Sequence, residues 1–140
     1  MHKNFFHKIK VYYEDTDAGG VVYYANYLKF LERARTEALV TLGFNNKKIK
    51  DEFGALIIVK SCSIDYKKSA YLEDELSIRS FVKSITKTSF FMNQFISRGE
   101  DIIVEAKVHL VFVNSKGKPA RIPGSLFQDF KPYFCDSIKV

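Results

Sequence analysis

The sequence predicts an α+β fold in which a strongly curved antiparallel sheet wraps one long helix. Three observations lead there. Apolar residues recur at helical spacing between Tyr24 and Leu42. From Ala55 onward come four long stretches rich in Ile, Val and Phe. These stretches follow one another instead of alternating with helices, which argues against a parallel sheet.

Taken in order, Phe6 to Thr16 has strand character and runs into an Asp-rich turn. The Tyr24–Leu42 helix comes next, with Leu28, Leu31, Ala34, Ala38, Leu39 and Leu42 as its apolar stripe and Gly43 to stop it. A shorter helix is expected over Asn46 to Glu52. The strands are then Ala55 to Tyr66, Glu75 to Ser84, Thr88 to Ser97 and Ile102 to Asn114, with turns at Arg98-Gly99-Glu100-Asp101 and Asn114-Ser115-Lys116-Gly117. In the last strand Val104, Ala106, Val108, Leu110 and Phe112 share one face, and Glu105, Lys107 and His109 the other. That alternation marks an antiparallel sheet with one side on a core. Pro123 opens a short helix to Phe130.

The 140 residues form one expected domain, 46% apolar and without repeats. The net charge of +6 suits anionic partners without choosing among them. The densest basic groups, Lys47-Lys48-Ile49-Lys50 and Lys67-Lys68, are short and read as solvated faces, so no nucleic-acid partner is expected. Cys62 and Cys135 lie far apart without His or Cys at metal spacing, and Cys62 reads as a small core residue. No apolar leader and no membrane-length run is present, so a soluble cytoplasmic protein without membrane insertion is expected.

Chemistry concentrates between Tyr13 and Arg35. Asp15 and Asp17 precede Gly19-Gly20 and the helix start, where free N–H groups and the positive end of the helix dipole collect. Two residues apart on an extended strand, the carboxylates would point to one side. They read equally as turn formers or helix caps. Asp-x-Asp alone is a weak metal signal, and no third ligand lies at a suggestive spacing. In the functional reading Asp17 attacks a thioester carbonyl or activates water, while N–H groups near Val22 to Tyr24 hold the oxyanion; losing one such donor costs about 3–4 kcal/mol. Glu32 is a rival carboxylate whose structural reading is a bond to Arg35 or Thr36 one turn on. No G-x-S-x-G elbow and no phosphate loop is present, and His2, His7 and His109 have no supporting context.

The run Val11-Tyr12-Tyr13-Glu14-Asp15-Thr16-Asp17-Ala18-Gly19-Gly20-Val21-Val22-Tyr23, with Ala25-Asn26-Tyr27 and Glu32-Arg33-Ala34-Arg35-Thr36-Glu37, resembles a known family. It is that of the hotdog-fold acyl-CoA thioesterases of the 4-hydroxybenzoyl-CoA thioesterase group, above all its bacterial YbgC type associated with the Tol-Pal envelope system. The likeness extends loosely through Ile64-Asp65-Tyr66 and Leu72-Glu73-Asp74-Glu75-Leu76.

The resemblance implies edge-to-edge dimers, often paired into tetramers, with active sites at the dimer interface. It implies a catalytic carboxylate at Asp17 and a carbonyl-binding N–H at Tyr24, with Asp15, Gly20 and Glu32 supporting the geometry. Lys60, Lys87 and Arg121 become candidates for the coenzyme A phosphates, and Ser89 and Phe90 for the pantetheine arm. No metal or bound cofactor is implied, since coenzyme A belongs to the substrate; acyl carrier protein is a second possible donor. One departure stands out. YbgC-type members usually carry His where this chain has Tyr24, so no imidazole role carries over. A non-catalytic acyl-CoA or carrier-protein binding module and a hotdog hydratase or dehydratase are the alternatives.

Overall fold

The computed structural model describes residues 2–135. Its elements run β1 (Phe5–Lys10), α1 (Asn26–Thr41), α2 (Asn46–Phe53), β2 (Leu56–Tyr66), β3 (Glu75–Ile85), β4 (Ser89–Arg98), β5 (Asp101–Val113) and α3 (Gly124–Phe130). The strands form one sheet in the order β1-β3-β4-β5-β2, every pair antiparallel. No described helix is long and apolar enough to cross a membrane.

β1 stops at Lys10, well short of the expected Thr16. The Asp15 carboxylate accepts the Tyr12 N–H at 2.9 Å and closes a 3₁₀ turn over Tyr13–Asp15. Local side-chain capping outcompetes strand continuation there.

The helix is also shorter than expected, because Tyr24 and Ala25 lie in the preceding turn. Its 16 residues span about 24 Å. Gly43, at φ +82°, ends it. The N–H groups of Gly43 and Phe44 return to the carbonyls of Val40 and Leu39, both at 2.9 Å, which is a Schellman closure. The buried stripe of α1 is Tyr27, Phe30, Leu31, Ala34, Ala38 and Leu39. Leu28, expected on it, is 45% exposed, because the stripe centres on Tyr27 and Leu31.

The helix bridges two apolar clusters on the same sheet. Its first half, from Tyr27 to Ala34, packs with Leu76, Ile78 and Ile96; Ala38 and Leu39 join Phe90, Met92 and Phe112. On β5 the expected alternation holds from Val104 to Phe112. Among the described residues β2 bonds only to β5, and its other edge is open. Cys62 is therefore exposed, not core: as part of an edge strand, its surroundings are closed on one side only.

Candidate functional site

The Asp17 loop is closed by its own backbone. Asp17 N–H donates to the Val21 carbonyl at 2.9 Å, and Gly20 N–H to the Asp17 carbonyl at 3.0 Å. Gly20 sits at φ +81°, a conformation that favours glycine. The Asp17 side chain is exposed, and its Oδ1 accepts the Gly19 N–H at 2.8 Å.

Asp15 and Asp17 do not share a side. The 3₁₀ turn rotates Asp15 inward to 9% exposure, while Asp17 faces outward. The Asp15 carbonyl also accepts the Tyr23 N–H at 3.0 Å and Asn26 Nδ2 at 2.9 Å, binding the loop to the start of α1.

Of the donors expected between Val22 and Tyr24, two are occupied. Val22 N–H bonds the Ala70 carbonyl at 2.8 Å, and Tyr23 N–H bonds Asp15. Asn26, Tyr27 and Leu28 return their N–H groups to Tyr23, Tyr24 and Ala25. The N–H groups of Tyr24 and Ala25 meet no acceptor among the described residues, and they sit at the positive end of the helix.

Asp17 and Tyr24 line one open cleft of about 320 Å³. Its wall is aromatic: the Tyr66 ring lies 6.2 Å from Tyr24 and 5.6 Å from Tyr27. Tyr27 Oη accepts the Ala70 N–H at 3.0 Å. Burial pushes the Tyr27 and Tyr66 phenols above their usual range, while Tyr23 is raised first by the neighbouring Tyr24 phenol, with Asp17 adding. All three shifts favour the neutral phenol. Lys67, Lys68 and Ser69 complete the rim. Arg98 bonds the Ser69 carbonyl at 3.0 Å and Asp74 at 2.8 Å, holding that segment to the sheet.

The family model of the thioesterase-like superfamily matches residues 11–130. The chain belongs to that superfamily. Within it, the chain is 39% identical over 124 residues to an acyl-CoA thioesterase YbgC of Haemophilus influenzae, covering 88% of this chain and 91% of that protein. It is 41% identical over 125 residues to an acyl-CoA thioester hydrolase YbgC of Escherichia coli, covering 88% and 92%. The structure of a probable thioesterase from Bartonella henselae superposes with a TM-score of 0.83 at 35% identity, over 86% of this chain and all of that one. The α+β sheet architecture is that of the hotdog thioesterases.

Other expected site residues of this thioesterase-family chain lie away from the cleft. Glu32 is exposed on α1, where its Oε2 accepts the Thr36 hydroxyl at 2.7 Å. Lys60 sits at the bulge of edge strand β2. Lys87 lies in the β3–β4 turn and Ser89 opens β4, Ser89 Oγ lying 2.8 Å from Thr86 Oγ1. Arg121 adjoins them, because Ile122 N–H bonds the Lys87 carbonyl at 2.8 Å. From Ser89 to Arg98, which reaches the cleft segment, β4 runs about 30 Å. Lys87, Ser89 and Arg121 thus stand at the opposite end of the sheet from Asp17. Phe90 is 3% exposed and packs on Phe130 at 5.0 Å, a core residue distant from the cleft of its own chain.

Sequence reasoning overlooked Lys67, Lys68, Tyr66 and Tyr27 as cleft residues. A signal was available: Lys67-Lys68 is one of the densest basic groups and directly follows the family-like Ile64-Asp65-Tyr66. Gly19 was overlooked as the donor to Asp17.

Proposed function

We propose that this protein hydrolyses an acyl-CoA thioester to a free acid and coenzyme A, with Asp17 as the catalytic carboxylate and the Tyr24 N–H as oxyanion donor. The observation that carries this reading is that Asp17 and an unpartnered helix-start N–H line one cleft in a chain of a thioesterase family.

The carbonyl oxygen accepts the Tyr24 N–H, where the helix dipole favours the negative charge that develops on attack. Asp17 then either attacks the carbonyl carbon, giving a mixed anhydride that water cleaves, or takes a proton from an attacking water. Either route expels the thiolate of coenzyme A. The Gly19 N–H holds one carboxylate oxygen and leaves the other for chemistry. The aromatic wall excludes water on one side of the bond. Lys67 and Lys68, whose exposed partners Glu105 and Asp101 lie at 3.4 and 3.2 Å, take the phosphates of the coenzyme. Such exposed pairs exchange readily, being worth about 0–1 kcal/mol each. An acidic carrier protein would meet the same rim.

The finer architecture follows the family pattern, with α1 as the central helix and the sheet curved around it. A second copy pairs antiparallel along the open edge of β2, which exposes Leu56, Ile58 and Val59. A two-fold axis through that edge sets the Leu56 end of one strand beside the Tyr66 end of the other. The partner subunit's Lys87 and the partner subunit's Arg121 then approach the cleft that they cannot reach within their own chain. A tetramer is two such dimers.

Free-thiol release from a panel of acyl-CoAs, wild type against Asp17→Asn, tests the reading. A folded variant slowed by at least about a hundredfold supports it. If neither coenzyme A nor carrier-protein thioesters release thiol with the wild type, acyl binding without hydrolysis becomes the better account.

A further inference from the structure

Between the two apolar clusters lies a charged group that the hydrolytic chemistry leaves idle. Arg35 turns its guanidinium under α1, where Nη1 donates to Gln94 Oε1 at 3.0 Å. Gln94 is fully buried, and its Nε2 donates to the Leu31 carbonyl and to Ser80 Oγ, each at 3.1 Å. Those two bonds orient its oxygen toward Arg35.

No carboxylate among the described residues lies within 4.0 Å of Arg35. Glu32, one helical turn away, is bonded to Thr36 and acts on Arg35 only at longer range. Burial lowers the Arg35 pKa from its ordinary value, with Glu32 opposing the shift. A guanidinium offers five N–H donors in a planar fork, and among the described residues one of them has an acceptor. A part-buried cation with no carboxylate in direct contact gains from an anion that can pair with it closely.

Position says what could supply it. Arg35 lines a cavity of about 130 Å³ with Glu32 and Thr36 beside it and an otherwise largely apolar wall that includes Leu39, Ile57 and Phe90. β2 runs from this cavity, which Ile57 and Val59 line, to the Asp17 cleft, which Tyr66 lines; between them Ile64 and Cys62 pair with the buried Ala106 and Val108. The Arg35 head lies level with Leu31, seven residues beyond Tyr24, a rise of about 10 Å along the helix. A medium-length acyl group with its carbonyl at Tyr24 would end there.

We propose that Arg35 is a specificity-determining residue that receives the far-end carboxylate of a medium-length dicarboxylic acyl group. The inference rests on the thioesterase reading above. Gln94 already supplies a neutral acceptor, so the missing partner is an anion, and a carboxylate matches the guanidinium fork with two parallel bonds.

The test is kcat/KM for the coenzyme A esters of hexanedioic, octanedioic and decanedioic acids against hexanoyl, octanoyl and decanoyl coenzyme A. At one matched length the wild type should prefer the acid-ended ester by at least about tenfold, the lower end for a charge-assisted hydrogen bond. Arg35→Met should erase that preference, mainly through KM, and change the plain esters by less than about threefold. Turnover of plain esters with no preference at any length overturns this inference and leaves the thioesterase reading standing. No turnover of any ester overturns both. The wild-type ratio decides alone if Arg35→Met does not fold.

Discussion

Gly19 holds Asp17 through its backbone and leaves little room for a side chain. Its N–H donates to Asp17 Oδ1 at 2.8 Å, and a Cβ built on Gly19 would stand 3.2 Å from that same oxygen. The carboxylate would have to shift by a few tenths of an ångström to admit one. Gly19→Ala should therefore slow thioester hydrolysis by roughly tenfold, the scale on which misplacement of a reacting group acts. Its thermal midpoint should stay within about 2 °C of wild type, because the site is exposed. Parallel thermal melts and steady-state kinetics check both halves.

Tyr24 separates a backbone role from a side-chain role. If the N–H binds the oxyanion, Tyr24→Phe should keep kcat within about threefold, whereas Tyr24→Pro, which removes the donor, should lose about a hundredfold or more. Proline is tolerated near a helix start, so circular dichroism should show the helix content intact. Equal losses in the two variants would place the function in the phenol.

Lys67 and Lys68 should matter to coenzyme A and not to the reacting bond. The double change to Ala should raise KM for acyl-CoA by about five- to tenfold and leave kcat nearly unchanged. The same acyl group on pantetheine, which lacks the nucleotide phosphates, should show no such change. Because the rim is exposed, raising salt in the wild type should reproduce part of the KM effect.

The open edge of β2 should carry the dimer. Ile58 faces away from the core and is 46% exposed. Ile58→Lys adds a charge of the kind that blocks edge pairing. It should shift the light-scattering mass toward a monomer and lower activity in step, with the monomer still folded. An active monomer would show that one chain completes the site.

How far the sequence reached depended on the range of the forces involved. Period-two alternation put Val104 to Phe112 on one face of β5, and Gly43 marked the end of a helix. The short helix expected over Asn46 to Glu52 is α2, opened by Asn45 accepting the Lys48 N–H at 2.7 Å. These are local matters, settled by neighbours within a turn or a strand. The family likeness was readable for a related reason, since Asp15 through Tyr23 lie in one continuous run.

What needed the tertiary structure was anything settled by residues distant in sequence. Asp15 and Asp17 look equivalent in an extended strand, but a 3₁₀ turn tied to Asn26 buries one and exposes the other. Of three neighbouring N–H groups at the helix start, Ala70 and Asp15 occupy two and leave Tyr24. Cys62 sits in an apolar run yet is exposed, because sheet order places β2 at an edge. Arg35 looks like a helix-surface cation until Gln94, from the middle of β4, draws it beneath the helix. Periodicity in the chain determined which residues face a core; the order of the strands and the packing of α1 on them decided which polar groups were left without partners. Long-range packing chooses hydrogen-bond partners, and no local pattern encodes that choice.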